Sequence, residues 1–184
     1  MSLTKKSSKP DSQNAITLLR ADHQKVTDLF ENFEKSRATA KKKVIAQEIC
    51  KELTVHATIE EEIFYPEVRG AIDDEDLMDE AEVEHASAKE LIAQIESMSS
   101  GDDKFAAKVM VLGEYINHHV KEEQDEMFPQ AKKAKVDLAE LGERMLARKQ
   151  ELMSQMGMEQ EESDDEETAE GGRQGQQRGS HART

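Results

Sequence analysis

Between residues 12 and 156 the apolar side chains recur in steps of three and four, the spacing of helices that each bury one face. The first predicted helix spans 12–36, with the stripe Ile16, Leu19, His23, Val26, Phe30, Phe33 and with Ser12 or Asn14 as its cap. The second spans 40–65, with Ile45, Ile49, Leu53, His56, Glu60 and either Ile63 or Phe64. Pro66 disfavours a helical conformation at Tyr65 and marks an end there. The third spans 74–98, with Leu77, Ala81, His85, Ala88, Ile92 and Ile95. Ser99 to Asp102 reads as a turn carrying a fresh cap. The fourth spans 103–128, with Val109, Leu112, Ile116, His119, Glu123 and Met127, and ends at Pro129. A shorter helix over 137–156 packs outside the others or trails along them. No segment shows strand alternation. Four amphipathic helices of similar length with short links predict an all-α, up-down-up-down four-helix bundle with an extra C-terminal helix.

The pattern stops at both ends. Residues 1–11 are rich in Ser and Lys and read as a disordered arm; 12–135 form the bundle and 136–156 the extra helix. Residues 157–184 lose the apolar period and read as a disordered tail, acidic over 159–170 and rich in Gly, Gln and Arg after that. Such a tail is a solubility device or a docking segment for a protein partner. A mean hydropathy of −0.81 leaves only the centre of the chain able to form a core. The net charge of −15 opposes binding to nucleic acid or anionic lipid and favours cations. Cys50 is the only cysteine, so no internal disulfide forms, and it reads as a small packed residue. The N-terminus lacks an apolar signal segment and no apolar run reaches membrane length, so a cytoplasmic protein is expected.

The chemistry lies in a repeat. His56 is followed by Glu60 and then by Tyr65-Pro66; His119 is followed by Glu123 and then by Phe128-Pro129. Residues four apart share one face of a helix, so each copy presents an imidazole beside a carboxylate. One histidine falls on the core stripe of each of the four helices: His23, His56, His85 and His119. A single buried histidine is ordinarily satisfied by neighbours. Four together with two buried carboxylates need partners that one metal site supplies at once. Helix lengths agree, because the four histidines fall at one height, about 15 Å from one end at a rise of 1.5 Å per residue. His118 points about 100° away from His119 and reads as an edge residue or an outer partner of the site. Glu61 and Glu62 point to other faces than Glu60 and read as solvent-facing, with an outer contact to the site as the alternative for Glu61 and, likewise, for Glu84 before His85. Imidazole with carboxylate suits iron, manganese, zinc or copper. Six ligands exceed a structural zinc site, and two bridging carboxylates with two histidines per ion make a dinuclear one. A ferritin-like centre is disfavoured, because that pattern places Glu before His with a spacing of three.

These residues resemble the hemerythrin family in its HHE cation-binding branch, over about Ser12 to Gln130. The resemblance rests on Asp22-His23, His56-x3-Glu60-Glu61 leading to Tyr65-Pro66, Glu84-His85, and His119-x3-Glu123 leading to Phe128-Pro129. It implies a non-haem centre, usually of two irons, with His23, His56, His85 and His119 as terminal ligands and Glu60 and Glu123 as bridges. The implied small ligands are O2, NO or peroxide. The chain departs from the oxygen carriers on helix three, where His85 has Ala81 before it and Lys89 after it instead of a second histidine. A ligand is therefore missing, or replaced by water or another carboxylate. Three functions follow from the resemblance: a sensor or binder of O2, NO or iron; a peroxidase or oxidase; and an iron reservoir with a recruiting tail.

Overall fold

The computed structural model describes residues 14–158. They fold into helices: α1 (Ala15–Lys35), α2 (Thr39–Ile59), α3 (Tyr65–Arg69), α4 (Glu75–Ser97), α5 (Phe105–Glu122), α6 (Phe128–Lys133) and α7 (Leu138–Gln155). Asn14 caps α1, its Oδ1 accepting from Thr17 N–H at 3.0 Å. Asp74 does the same for α4 through Leu77 N–H at 3.3 Å, and Asp137 for α7 through Glu140 N–H at 3.1 Å. The expected cap on the fourth long helix is absent. Asp102 turns back to accept from Ser99 N–H, and the chain enters α5 through Lys104 in the left-handed region at φ 70°. The arm over 1–11, the alternative cap Ser12 and the tail beyond 158 lie outside the described residues.

The two prolines do not end their helices. Short π-helical segments, Glu60–Phe64 and Glu123–Met127, join α2 to α3 and α5 to α6, so each helix runs on past its proline. A proline inside a regular helix lacks the N–H for the i−4 bond, and its ring collides with that carbonyl. A π turn bonds i to i+5 and relieves both problems. Tyr65 N–H accordingly donates to the carbonyl of Glu60, and Phe128 N–H to that of Glu123. Pro66 and Pro129 then stand in the first turns of α3 and α6, where an N–H has no intrahelical partner anyway.

The predicted stripes are the buried faces. Every named apolar residue of the first and third stripes is buried, and Phe64, rather than Ile63, completes the second. Gly113 permits a close approach between α1 and α5, since a Cβ there would meet the Phe30 ring at 3.1 Å. The core divides into two clusters. One gathers the start of α1 and α4 with the ends of α2 and α5: Leu19, Ile59, Phe64, Met78, Met127 and Phe128 among them. The other gathers the opposite ends, with Phe33, Ile49, Ile95, Phe105 and Leu112. Helix α7 does not trail free. It lies against α1 and α2 and buries Leu141, Met145, Leu152 and Met153 in the first cluster. Between the clusters lies the layer of histidines. No helix among the described residues is long and apolar enough to cross a membrane.

Candidate metal centre

The structure brings all six predicted residues together. His23, His56, His85, His119, Glu60 and Glu123 are each at most 6% exposed. They form two half-sites. In one, His23 Nε2 lies 3.1 Å from His56 Nε2, and these rings face Glu123 and Glu60 at 3.2 Å each. In the other, His85 Nε2 lies 3.1 Å from His119 Nε2. Glu60 reaches that half too, 3.4 Å from His85 Nε2, and Glu123 Oε2 lies 3.7 Å from His119 Nε2. Both carboxylates therefore stand between the two histidine pairs. Donor atoms of His23, His56, Glu60 and Glu123 fall within one ion's reach, as do those of Glu60, His85 and His119.

The carboxylates are under-satisfied for their burial. Both oxygens of Glu60 and Oε2 of Glu123 lie within the protein with no aligned hydrogen bond. Burying an ionised carboxylate costs several kcal/mol unless it is paired or coordinated, on the order of 1–3 kcal/mol even for one lost hydrogen bond. The field of the rings partly compensates. Burial opposes ionisation of Glu60, but His56 and His85 hold its carboxyl well below the ordinary range. Burial opposes a charge on His56 too, yet Glu60 and Asp22 push it up to about 10. His119 is raised against the same opposition by Glu123 and Glu84. The surrounding carboxylates thus favour the charged form of His56 and His119.

Two of the four rings are held from behind by hydrogen bonds to carboxylates, and a third faces a carboxylate at longer range. His85 donates Nδ1–H to Glu61 at 2.9 Å, and His119 donates Nδ1–H to Glu84 at 2.8 Å. His56 Nδ1 stands 3.5 Å from Asp22, which is paired to Lys149 of α7. A carboxylate only accepts, so Nδ1 of His85 and His119 carries a proton, and Nε2 of each ring, once neutral, would be left to face a cation. His23 Nδ1 faces the side-chain amide of Gln124 at 3.2 Å instead. Glu61 and Glu84 thus take the outer role rather than the solvent-facing one. His118 has a 60% exposed side chain and stays out of the buried set.

Tyr65 was not among the predicted ligands. Its Oη donates to Glu123 Oε1 at 3.1 Å and lies 3.1 Å from His85 Nε2 and 3.3 Å from His119 Nε2. Burial first, then the charges of Glu123 and Glu60, push its phenol well above its ordinary value. Asp22, Gln124 and Lys149 were also missed as supports of the rings; the pair Asp22-His23 was legible, but not the partner of the carboxylate. On the side of the second core cluster the rings border a cavity of about 20 Å³, walled by Val26, Leu53, Ala88, Ile92 and Ile116. That is room for about one water-sized molecule.

The Hemerythrin HHE cation binding domain family matches residues 14–131. The chain belongs to this family. Its fold agrees with the crystal structure of a Hemerythrin HHE cation binding domain-containing protein, the Rv2633c homolog from Mycobacterium kansasii. That likeness has a TM-score of 0.66 at 21% identity and covers 77% of this chain and 88% of that one. A protein named DNA nickase from Nostoc sp. (strain PCC 7120 / SAG 25.82 / UTEX 2576) is 34% identical over 129 residues, which is 68% of this chain. The hemerythrin-like chain spans only 35% of the length of that relative. Membership fits the donor set found here: imidazoles and carboxylates converging in a buried layer.

Proposed function

We propose that this hemerythrin-like chain holds two non-haem irons and binds or senses a small oxidant or gas: O2, NO or peroxide. The observation that carries this reading is Glu60, fully buried, lacking aligned hydrogen bonds on both oxygens, and set between two histidine pairs. A single ion would satisfy one pair and leave the other unexplained. His23 and His56 would hold one iron and His85 and His119 the other, with Glu60 and Glu123 between them. Tyr65, whose Oη lies near His85 and His119, would offer an oxygen donor to the second half-site. Iron suits imidazole, carboxylate and phenolate together, and would supply open positions for a diatomic ligand and a change of oxidation state.

The protein's own part is selection. The cavity beside the rings has room for about one water-sized molecule and is bordered by Val26, Leu53, Ala88, Ile92 and Ile116 together with Asp22 and Lys89. Peroxide fits the same space, so a detoxifying peroxidase is the second reading. A cytoplasmic setting suits Cys50, whose thiol burial pushes up to about 12, away from reactive thiolate. The nicking activity in the Nostoc relative's name is not transferred. Two thirds of that relative has no counterpart here, and a net charge of −15 repels phosphates.

The test is a visible spectrum of iron-loaded protein through reduction, exposure to air or NO, and addition of peroxide. Bands that bleach on reduction and return or shift stoichiometrically with the gas support a binder. Sustained peroxide consumption moves the assignment to the enzyme. Unchanged spectra in all three sink both.

A further inference from the structure

The end of α5 and the first residue of the π segment after it carry two His-x3-Glu pairs one residue out of step: His119 with Glu123, and His118 with Glu122. One residue rotates a helix position by about 100°, so the first pair faces the core and the second faces outward. The outer pair is not a by-product of the repeat, because the first copy carries Val55 and Ile59 at those positions, both buried. Helix α4 faces the outer pair with a matching pair of its own, Glu80 and Glu84. Donor atoms of Glu80, His118 and Glu122 lie within 4.8 Å of one another. His118 Nε2 is 3.1 Å from Glu122 Oε1 and 3.6 Å from Glu84 Oε1. The other oxygen of Glu84 accepts from the buried ring of His119 at 2.8 Å. No lysine or arginine among the described residues pairs with Glu80, Glu84 or Glu122.

We propose that His118, Glu80 and Glu122 form a separate, solvent-facing site for a divalent cation of borderline softness such as Zn2+, with Glu84 shared between that ion and His119. One imidazole with two or three carboxylates, drawn from i and i+4 positions on two adjacent helices, is a donor set of the right count and kind. The surplus of negative charge at this corner lacks a basic partner and gains one in the cation. Glu84 then links the outer ion to the buried centre: drawing its carboxylate outward changes the hydrogen bond that orients His119.

The experiment titrates Zn2+ into the iron-loaded full chain by calorimetry while recording the visible spectrum, with iron content measured before and after. The expected result is uptake of one Zn2+ per chain in the micromolar range, a spectral shift and no loss of iron. His118→Ala and Glu80→Gln should each weaken that uptake by about tenfold or more at unchanged iron content. The same titration of metal-free protein should show wild type binding one ion more than His118→Ala, whatever metal fills the buried centre. This keeps failure here distinct from failure of the iron assignment. No uptake, or equal uptake by wild type and His118→Ala, overturns the proposal.

Discussion

The two half-sites are built by the same repeat, yet differ by one hydroxyl. In the first copy the residue before proline is Tyr65, and in the second it is Phe128. Phe128 stacks on His23, ring centroids 6.0 Å apart and planes within 3°. Tyr65 tilts against His85 at 5.2 Å and delivers Oη among His85, His119 and Glu123. One half-site is therefore closed by an apolar ring and the other by an oxygen donor. The supports differ in parallel. His56 leans on Asp22 and Lys149 from the added helix α7, whereas His85 leans on Glu61 and Lys89 within the bundle. A symmetric scaffold thus yields an asymmetric pocket.

Removing what the halves share should have the largest effect. Glu60→Ala is expected to abolish occupancy of both, reducing iron from about two per chain to near zero and lowering the melting temperature of protein purified from iron-replete cells. Atomic absorption and a thermal scan check this. Loss of only one ion would show that Glu60 serves one half alone. Tyr65→Phe should remove the oxygen donor that sets the second half-site apart. Iron is retained within a factor of about two, but a phenolate-to-iron band in the visible spectrum disappears, and the second half-site loses affinity by about tenfold.

Proton linkage offers a smaller effect. In metal-free protein His56 is raised from 6.5 to about 10, so its charged contacts stabilise the fold fully below pH 6.5 and are lost as pH rises through about 10. Metal-free protein should therefore lose stability over that window, and metal-loaded protein should not. Metal uptake at neutral pH should release protons, with affinity rising by about tenfold per pH unit for each proton displaced. Denaturant melts of both forms from pH 6 to 10 and proton release in weakly buffered solution measure the two. Lys149→Met leaves Asp22 buried without its cation and should cost about 1–3 kcal/mol while iron stays bound. His118→Ala should be the mildest, within about 0.5 kcal/mol and with iron content unchanged.

The sequence made the stripes legible because three- and four-residue steps map directly onto a buried helix face. His23, His56, His85 and His119 stood on those stripes, and Glu60 and Glu123 followed by the i+4 rule. Tyr65 escaped for a geometrical reason. On a regular helix the fifth residue after Glu60 points about 140° away from it. The π segment closes its turn after five residues, which returns Tyr65 to the face of Glu60 and Phe128 to the face of Glu123. Pro66 and Pro129 carried the signal, but it reads equally as a helix end. The Asp22–Lys149 pair joins residues far apart in sequence, and nothing in local periodicity announces such a contact. The Glu61 and Glu84 supports were visible only as acidic neighbours of ligand positions.

If Glu60 and Glu123 stand between two metal ions, each chain carries a pair. Metal content per chain, measured on protein purified from iron-replete cells, tests it most directly. The account predicts about two irons per chain, falling to one or fewer in both His56→Ala and His85→Ala. One zinc per chain, or iron content unaffected by either substitution, would contradict it.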